Sequence, residues 1–302
     1  MGYLASSLIC AFALSAATQY AFAQDVEPRA LSPAPVGTNI AGLTLVHSSG
    51  AVLLDKTLQV EDLDGSTYSL VPSYTRYVSL FGLSSRVTAA LPVATGTWDA
   101  LVGEDSVKTD ISRTGLGDGF ASMMVFLAGA PAMTAAEFQE YRRKTIVGFN
   151  LRVSVPTGQY DPEKLVNLGS NRWKITPALA VSHWMGKFAV EAYAGMWLFS
   201  NNKALLGDNV QSQDPMFAFQ LNLSYSFKPG LWLAAGVRQT SAGETTVNGV
   251  PKDDPTENTR LGLILGLPVS KRHTVKAIGT TGLRTTAGGD FDTLVLQWLY
   301  AW

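Results

Sequence analysis

The last twelve residues of the chain, Phe291–Trp302, constrain the fold more than any other segment. Every second residue counted back from the terminus is large and apolar: Trp302, Tyr300, Trp298, Leu296 and Leu294. The intervening positions are mixed and partly polar, and side chains of a strand alternate between its two faces. Aromatic rings gather at membrane interfaces, and a strand that spans a membrane needs roughly 9–11 residues. The segment therefore predicts a transmembrane barrel strand with a C-terminal aromatic signature of Trp298, Tyr300 and Trp302.

The same two-residue alternation recurs along the chain from Asn39 onward. In 216–227, for example, large apolar residues at odd positions alternate with small or polar residues at even positions. A helix does not repeat every two residues, so these segments are predicted as strands. Pro72 interrupts one of them and suggests a bulge or irregular pairing there. We predict twelve strands, at 39–54, 66–81, 83–94, 116–129, 144–156, 172–185, 187–200, 214–228, 230–243, 257–269, 272–286 and 290–302.

The connections between these strands alternate between tight turns and long polar loops. Long loops are predicted at 55–65, 95–115, 157–171, 201–213 and 244–256, with a shorter one at 286–289. The exception is 130–143 on the opposite side, where 135–143 reads as a short helix. Short periplasmic turns and longer external loops characterise outer-membrane barrels. The fold class predicted is all-β, a single transmembrane antiparallel β-barrel over residues 39–302.

The N-terminus predicts export. An apolar stretch precedes Ala21-Phe-Ala23, so residues 1–23 read as a signal peptide cleaved after Ala23, although no Lys or Arg precedes the apolar core. Residues 24–38 contain three prolines and are predicted as an extended lead-in. The single cysteine, Cys10, falls within the leader. Export and the barrel pattern together predict the bacterial outer membrane as the location.

Composition excludes several classes of function. A formal net charge of −1 argues against nucleic-acid binding, and the three histidines lack metal-ligand spacing. No nucleotide motif and no plug domain can be recognised, so no cofactor and no metal are predicted. The long loops carry an acidic excess, which favours a solvated external surface and leaves calcium binding as a lesser alternative.

Several sequence strings carry a resemblance to a known family. They are Glu27-Pro-Arg with Ser32-Pro-x-Pro-Val-Gly-Thr-Asn39, Ser112-Arg-x-Gly-Leu-Gly-Asp118, Pro156-Thr-Gly-Gln-Tyr-Asp-Pro162, Asn167-Leu-Gly-x-Asn-Arg-Trp173 and Gly289-Asp-Phe-Asp292. Together they resemble the bacterial meta-pathway phenol-degradation proteins, over essentially the whole mature chain. The resemblance implies an outer-membrane barrel that admits aromatic compounds, and it carries no established functional residues.

If the apolar faces meet lipid, the opposite faces line the lumen. Charged side chains on the lipid face near the midplane would cost roughly 2–4 kcal/mol each, so charged strand residues are expected inside. The predicted pore-lining residues are Arg76, Arg86, Arg152, Glu191, Arg238, Arg260, Lys276 and Arg284. Such a basic lumen could attract anionic aromatics, or its charges could form a structural network with acidic loop residues.

The sequence therefore predicts a channel for passive uptake of small hydrophobic or aromatic compounds. Two alternatives remain open: a lipid-modifying barrel enzyme that uses His47 and Ser49, and a non-conducting structural or adhesive barrel. The expected partners are outer-membrane lipids, the barrel assembly machinery (through the C-terminal strand) and the solute itself. No nucleic-acid partner is expected.

Overall fold

The computed structural model describes residues 27–53, 60–102, 107–164 and 166–302. The predicted signal peptide, residues 1–23, lies outside these ranges. Within them the chain is almost entirely β-strand, with a single six-residue helix. No helix among the described residues is both long enough and apolar enough to cross a membrane.

The secondary-structure elements follow one another in a simple order along the chain. They are β1 (Asn39–Leu53), β2 (Val60–Leu80), β3 (Leu83–Ala90), β4 (Val93–Val102), β5 (Val107–Leu116), β6 (Phe120–Ala128), α1 (Ala135–Glu140), β7 (Thr145–Ser154), β8 (Lys174–Met185), β9 (Phe188–Phe199), β10 (Asn202–Leu205), β11 (Asn209–Gln213), β12 (Met216–Lys228), β13 (Leu231–Ala242), β14 (Thr245–Val247), β15 (Val250–Pro251), β16 (Thr256–Pro268), β17 (His273–Arg284) and β18 (Gly288–Ala301).

The main sheet closes on itself as an antiparallel barrel. β1 pairs with β2 on one side and with β18 on the other, in register from Ile40 opposite Ala301 to Leu53 opposite Gly288. The backbone of Trp302 adds two hydrogen bonds to Asn39, with N–O distances of 2.9 and 3.0 Å. Closure of this kind removes the open edges that a sheet cannot keep in lipid, and among the described strands of the main sheet β5 alone keeps one unpaired edge. The prediction of a twelve-stranded barrel is thereby confirmed.

Two of the twelve barrel strands are each made of two successive segments. β2 pairs with β3 through Ser73–Leu80 and with β4 through Val60–Leu70, so β3 and β4 together form one long barrel strand broken at Pro92. β5 and β6 form the next, and the break between them at Gly117 is bridged by its N–H to the Pro92 carbonyl, 2.9 Å away. The predicted loop at 95–115 is therefore wrong, because β4 and β5 continue the barrel wall as a paired hairpin.

Of the two expectations at Pro72, irregular pairing is found, because β2 changes its partner there from β3 to β4, and a bulge is not. The β1–β2 register runs without a shift from Asn39 opposite Arg76 to Ala51 opposite Asp64. Pro72 lies instead beside the break between β3 and β4, and its carbonyl accepts from the N–H of Leu91 at 3.3 Å. A residue that lacks an N–H is tolerated at this point because the neighbouring ladder is already interrupted.

The two ends of the barrel differ. At the end that holds both barrel termini, called the terminal end, tight turns connect the strands, and α1 begins with a capping box between Thr134 and Glu137. At the opposite end, called the loop end, β10, β11, β14 and β15 pair as a separate four-stranded sheet. The segments 201–213 and 244–256, predicted as loops, thus contain strands. Short turns mark the terminal end as periplasmic in barrels of this kind.

The faces of the wall follow the predicted alternation. Large apolar side chains stand exposed on the outer face, among them Leu45, Leu179, Phe217, Phe219, Leu223, Leu263, Leu294 and Leu296. Small and polar side chains of the opposite parity are buried inside, among them Ser48, Ser69, Ser182, Gln220, Asn222, Ser224, Thr240 and Thr293. Aromatic rings gather outside at the terminal end, where Tyr300 stacks on Trp302 with centroids 5.3 Å apart. The outer surface is therefore suited to lipid, and the interior to polar contacts.

A candidate lumen site and its N-terminal plug

The lead-in before β1 enters the barrel. Residues 27–36, called the plug segment, begin with a turn in which the N–H of Ala30 donates to the carbonyl of Glu27 at 3.0 Å. Leu31 is 1% exposed and packs among inward side chains of the wall, including Met124, Ile146 and Tyr193. The lead-in was expected to be extended, but it begins with this turn and packs inside the barrel near the terminal end.

Arg29 anchors the plug segment to the opposite wall. Its backbone N–H donates to Oε2 of Glu191 at 2.6 Å, and its guanidinium donates to the hydroxyls of Ser224 at 3.3 Å and Ser226 at 2.8 Å. The guanidinium also lies over the rings of Trp184 and Trp232, at 5.0 and 4.4 Å from their centroids. Charge-assisted hydrogen bonds and cation–π contacts are both strengthened away from water. The arginine therefore fixes the segment by several contacts at once.

An ion pair also joins the plug segment to the wall. The ammonium of Lys276 on β17 contacts the carboxylate of Glu27. Glu27 and Pro28 then form one boundary of an internal cavity of about 180 Å³. The carboxylate of Glu27 thus offsets the charge of Lys276 beside this cavity.

The cavity lies against β1, β12, β13, β16, β17 and β18. Its lining is mixed in polarity, with apolar groups of Val46, Ile264, Ile278 and Val295 beside polar groups of Thr44, Gln220, Asn222, Arg238, Arg260, Thr280, Thr293 and Gln297. Arg260 is held in place by hydrogen bonds to the Thr280 hydroxyl at 3.1 Å and to the Phe291 carbonyl at 2.5 Å. A mostly apolar space with a few oriented polar groups is the usual character of a small-molecule site.

Six of the eight predicted pore-lining residues lie on the inward face: Arg86, Arg152, Glu191, Arg238, Arg260 and Lys276. Glu191 is 1% exposed and is the acceptor for the plug segment, a role that its sequence context did not indicate.

The other two predicted residues lie elsewhere. Arg76 has the parity of the exposed residues Tyr68, Leu70 and Tyr74, so it is on the outer face at the terminal end. Because a shift of one residue flips every side chain to the other face, the missing bulge at Pro72 explains the error. Arg284 is at the loop end of β17, exposed, and pairs with Glu257 at 3.4 Å.

Inward cations also gather at the loop end, beyond the cavity. Arg152, Arg172 and Lys174 lie near the loop end, where both arginines act on the lysine, and Arg86, three residues into β3, acts on Arg152 from the terminal side. We call these four residues the basic cluster. Besides Arg29, three lumen guanidiniums lie on aromatic rings: Arg152 over Phe120 at 4.1 Å, Arg172 over Phe199 at 4.4 Å and Arg238 over Trp197 at 5.4 Å. This half of the lumen is therefore basic and aromatic.

Sequence reasoning missed Lys174, Arg172 and Arg29. The inward position of Lys174 was predictable, because it lies two residues before Thr176 and has the same parity as the inward residues Thr176, Ala178 and Ala180 of β8. Arg172 precedes the strand and Arg29 lies in the lead-in, where no periodicity marks a direction. Only the folded chain brings them into the lumen.

His47 and Ser49, the alternative catalytic pair, belong to the outward series of β1 with Leu43 and Leu45. The His47 ring stacks on Tyr68 with centroids 4.3 Å apart, and its Nδ1 lies 3.3 Å from the carbonyl of Thr67. Asp292 stands opposite Ser49 in the β1–β18 ladder, two pairs away from His47. In the part of the chain that is described, no three His, Cys, Asp or Glu side chains form a group that could hold a metal ion.

Comparison with known proteins agrees with this architecture. Over residues 41–294 the sequence matches the family described as "Putative MetA-pathway of phenol degradation". The fold is similar to that of the COG4313 outer membrane channel from Pseudomonas putida F1, at 22% identity and a TM-score of 0.78, covering 92% of this chain and 100% of that one. It is also similar to the transport unit of the autotransporter AIDA-I from Escherichia coli, at 8% identity and a TM-score of 0.54, covering 97% and 98%.

No curated protein sequence matches the chain. These two solved structures are described as a channel and a transport unit, and their likeness to this chain shows the fold. The family match spans most of the chain and nearly the whole barrel, and the closed fold agrees with it. The chain is a member of the phenol-degradation family of outer-membrane β-barrels.

Proposed function

We propose that this protein is a passive outer-membrane channel for small hydrophobic or aromatic compounds. The observation that carries the proposal is the internal cavity of about 180 Å³ between the plug segment and the strand walls. An apolar cavity of about 150 Å³ is large enough to bind benzene in an unrelated protein. A single aromatic ring with a small substituent therefore fits this space, and the family match to phenol degradation points to the same class of solute.

The lining supports small amphipathic solutes over sugars. Val46, Ile264 and Ile278 offer a ring apolar contact, while Gln220 and Asn222 offer hydrogen bonds to one polar substituent. The plug segment opposes a wide aqueous path, because Leu31 and its neighbours fill the terminal half of the lumen. A narrow lumen of this kind selects by width and polarity.

Uptake by whole cells tests the proposal. Cells that lack their own channel for the solute would be given this protein, and entry of radiolabelled toluene would be compared with entry in cells carrying the empty vector. The proposal expects faster toluene entry and unchanged entry of a sugar. Equal toluene entry in both cells would refute it and would favour the structural or adhesive alternative.

The exit route can be tested with a disulfide across the lumen. A Cβ built at Gly148 would lie 2.5 Å from Cδ2 of Leu31, so Leu31→Cys with Gly148→Cys would bring two thiols close together. If solute leaves past the plug segment, the oxidised protein takes up little toluene and a reductant restores uptake. If uptake is the same in both redox states, the solute leaves through the wall into the bilayer.

The enzyme alternative requires a separate test. Ser49→Ala should leave toluene uptake unchanged, and the purified wild type should release no fatty acid from phospholipid. Phospholipid hydrolysis that disappears in the Ser49→Ala variant would establish the enzyme instead.

A further inference from the structure

The basic cluster sets several cations near one another inside the lumen. Arg152 and Arg172 act on Lys174, and among the described residues Asp118 is the carboxylate that acts on it. Like charges held together out of bulk water repel one another unless an anion joins them. At the terminal end, by contrast, the ammonium of Lys276 is in direct contact with the carboxylate of Glu27.

Lys174 is the central member of the cluster. Lys174 is only 9% exposed. It is the first residue of β8 and pairs with Ser154 of β7. Arg152 lies two residues before Ser154 and on the same inward face of β7. Diagonal neighbours on one face of a ladder are within reach of long side chains. Within the part of the chain that the structure describes, the Lys174 ammonium has no hydrogen-bond or ion-pair partner. An inward ammonium that has no partner and remains accessible from the lumen can bind an anion.

Asp118 is committed to the loop that follows β7. Its Oδ1 accepts from the N–H of Gly158 at 3.0 Å, and its Oδ2 accepts from the N–H and the hydroxyl of Ser170 at 2.9 and 2.5 Å. Three hydrogen bonds satisfy this carboxylate locally and brace the loop end of the lumen. It therefore offsets the charge of the cluster only in part.

The surroundings of the cluster indicate what kind of anion would fit. Phe120 lies under Arg152 and Phe199 lies under Arg172, so aromatic surface and positive charge alternate along this wall. When a guanidinium stacks on an aromatic ring, its flat face is against the ring and its N–H groups point outward from its own edge. These N–H groups are then available to an anion. An anion with a flat apolar body would contact both the rings and the cations, whereas an inorganic anion would use only the charge.

We propose that Lys174 and Arg152 form a binding site for the carboxylate of an aromatic acid at the loop end of the lumen. This inference rests on the proposed function and adds to it a second binding site, which takes those aromatic solutes that carry a carboxylate. Lys174 supplies a point charge, and Arg152 supplies a planar pair of donors that matches the two carboxylate oxygens. The site would hold the acid before its ring moves toward the cavity beside Arg238 and Arg260.

Binding to the refolded mature chain in detergent tests the inference, with benzoate as the probe and benzyl alcohol as its uncharged counterpart. Isothermal titration should show tighter binding of benzoate than of benzyl alcohol. Lys174→Met and Arg152→Met should each weaken benzoate binding by about 10- to 100-fold, as the loss of a charged hydrogen bond predicts, and leave benzyl alcohol unchanged. Lys174→Arg should retain most of the affinity.

Control variants and ligands separate the alternatives. Lys228→Met removes an exposed lysine at a terminal-end turn and should behave as wild type. Heat-modifiable migration on gels reports whether each variant forms the barrel. Equal affinities for benzoate and benzyl alcohol, or unchanged benzoate binding in the folded Lys174→Met variant, would overturn the inference. Displacement of benzoate by inorganic phosphate or acetate at equal concentration would also overturn it, because the ring would then contribute nothing.

The two proposals fail in different ways. If cells take up toluene but the protein does not distinguish benzoate from benzyl alcohol, the carboxylate site is refuted and the channel for aromatic compounds stands. If toluene uptake is absent, the proposed function itself is refuted, whatever the titration shows.

Discussion

The plug segment should open when its arginine anchor is removed. Arg29→Ala deletes two side-chain hydrogen bonds to hydroxyls and two cation–π contacts, and leaves only the backbone N–H on Glu191. A charged hydrogen bond contributes about 1.5–3 kcal/mol and a cation–π contact about 0.5–2 kcal/mol. The cost of burying the guanidinium offsets part of this sum, so we expect a net loss of about 2–4 kcal/mol.

Such a loss should raise the open fraction of the plug segment by about 30- to 900-fold. The assay uses a thiol within the segment. The one natural cysteine, Cys10, lies in the predicted leader, so Ala30→Cys would introduce the sole thiol of the mature chain. Ala30 is 8% exposed, and a thiol introduced at this position should react slowly with a maleimide while Arg29 is present.

In the Arg29→Ala background the maleimide reaction should accelerate, and the ion conductance of single channels should rise with it. Arg29→Lys keeps the charge but loses the flat stacking surface, so its rate should fall between the two. Lys228→Ala, at an exposed turn, serves as the control. Unchanged maleimide reactivity and unchanged conductance in Arg29→Ala would refute the view that this side chain holds the segment.

Three further outcomes follow from the structure. Gly129→Ala should lower the thermal unfolding midpoint, because φ at this residue is +83° and a Cβ would lie 1.8 Å from a backbone oxygen. Gly279→Ala is the control and should leave the midpoint unchanged, because a Cβ at Gly279 meets nothing within 4 Å. Hydrogen bonds from Thr134 hold the pKa of Glu137 below its ordinary value of 4.5. The contribution of this carboxylate to the α1 cap is therefore present above pH 4.5 and is lost as pH falls through the lowered pKa. NMR titration of the carboxyl would measure that pKa, and a value at or above 4.5 would contradict the prediction. Arg284→Ala should leave conductance and ion selectivity unchanged, since the exposed pair with Glu257 lies outside the lumen, and a changed selectivity would contradict that placement.

The order of strands and the faces of most of them were predictable from sequence because they depend on local alternation. A strand exposed to lipid on one side must be apolar at every second residue, and this pattern survives in a linear reading of 216–227 or 291–302. The inward placement of Arg152, Arg238 and Arg260 follows from the same parity. Closure between β1 and β18 follows because an unpaired edge cannot remain in lipid.

Errors arose where a distant partner decides the local structure. The segment 95–115 looks like a polar loop, yet it forms β4 and β5 because each supplies the other with a ladder of hydrogen bonds. Arg76 was misplaced because the pairing with β1, and not the proline itself, sets the register of β2. The small sheet of β10, β11, β14 and β15 joins two segments that are far apart in sequence.

The sequence by itself predicted export and a set of strands whose apolar and polar residues alternate, with the apolar face outward. The same alternation predicted which charged side chains face the lumen for most of the strands. Tertiary structure alone decided where the plug segment sits, because residues 27–36 carry no periodicity and take their position from Glu191, Ser224, Ser226 and two tryptophans on remote strands. It also gathered the basic cluster, since Arg86, Arg152, Arg172 and Lys174 meet only after the wall curves around the lumen. Contacts of this range depend on closure of the barrel, and no local pattern records them.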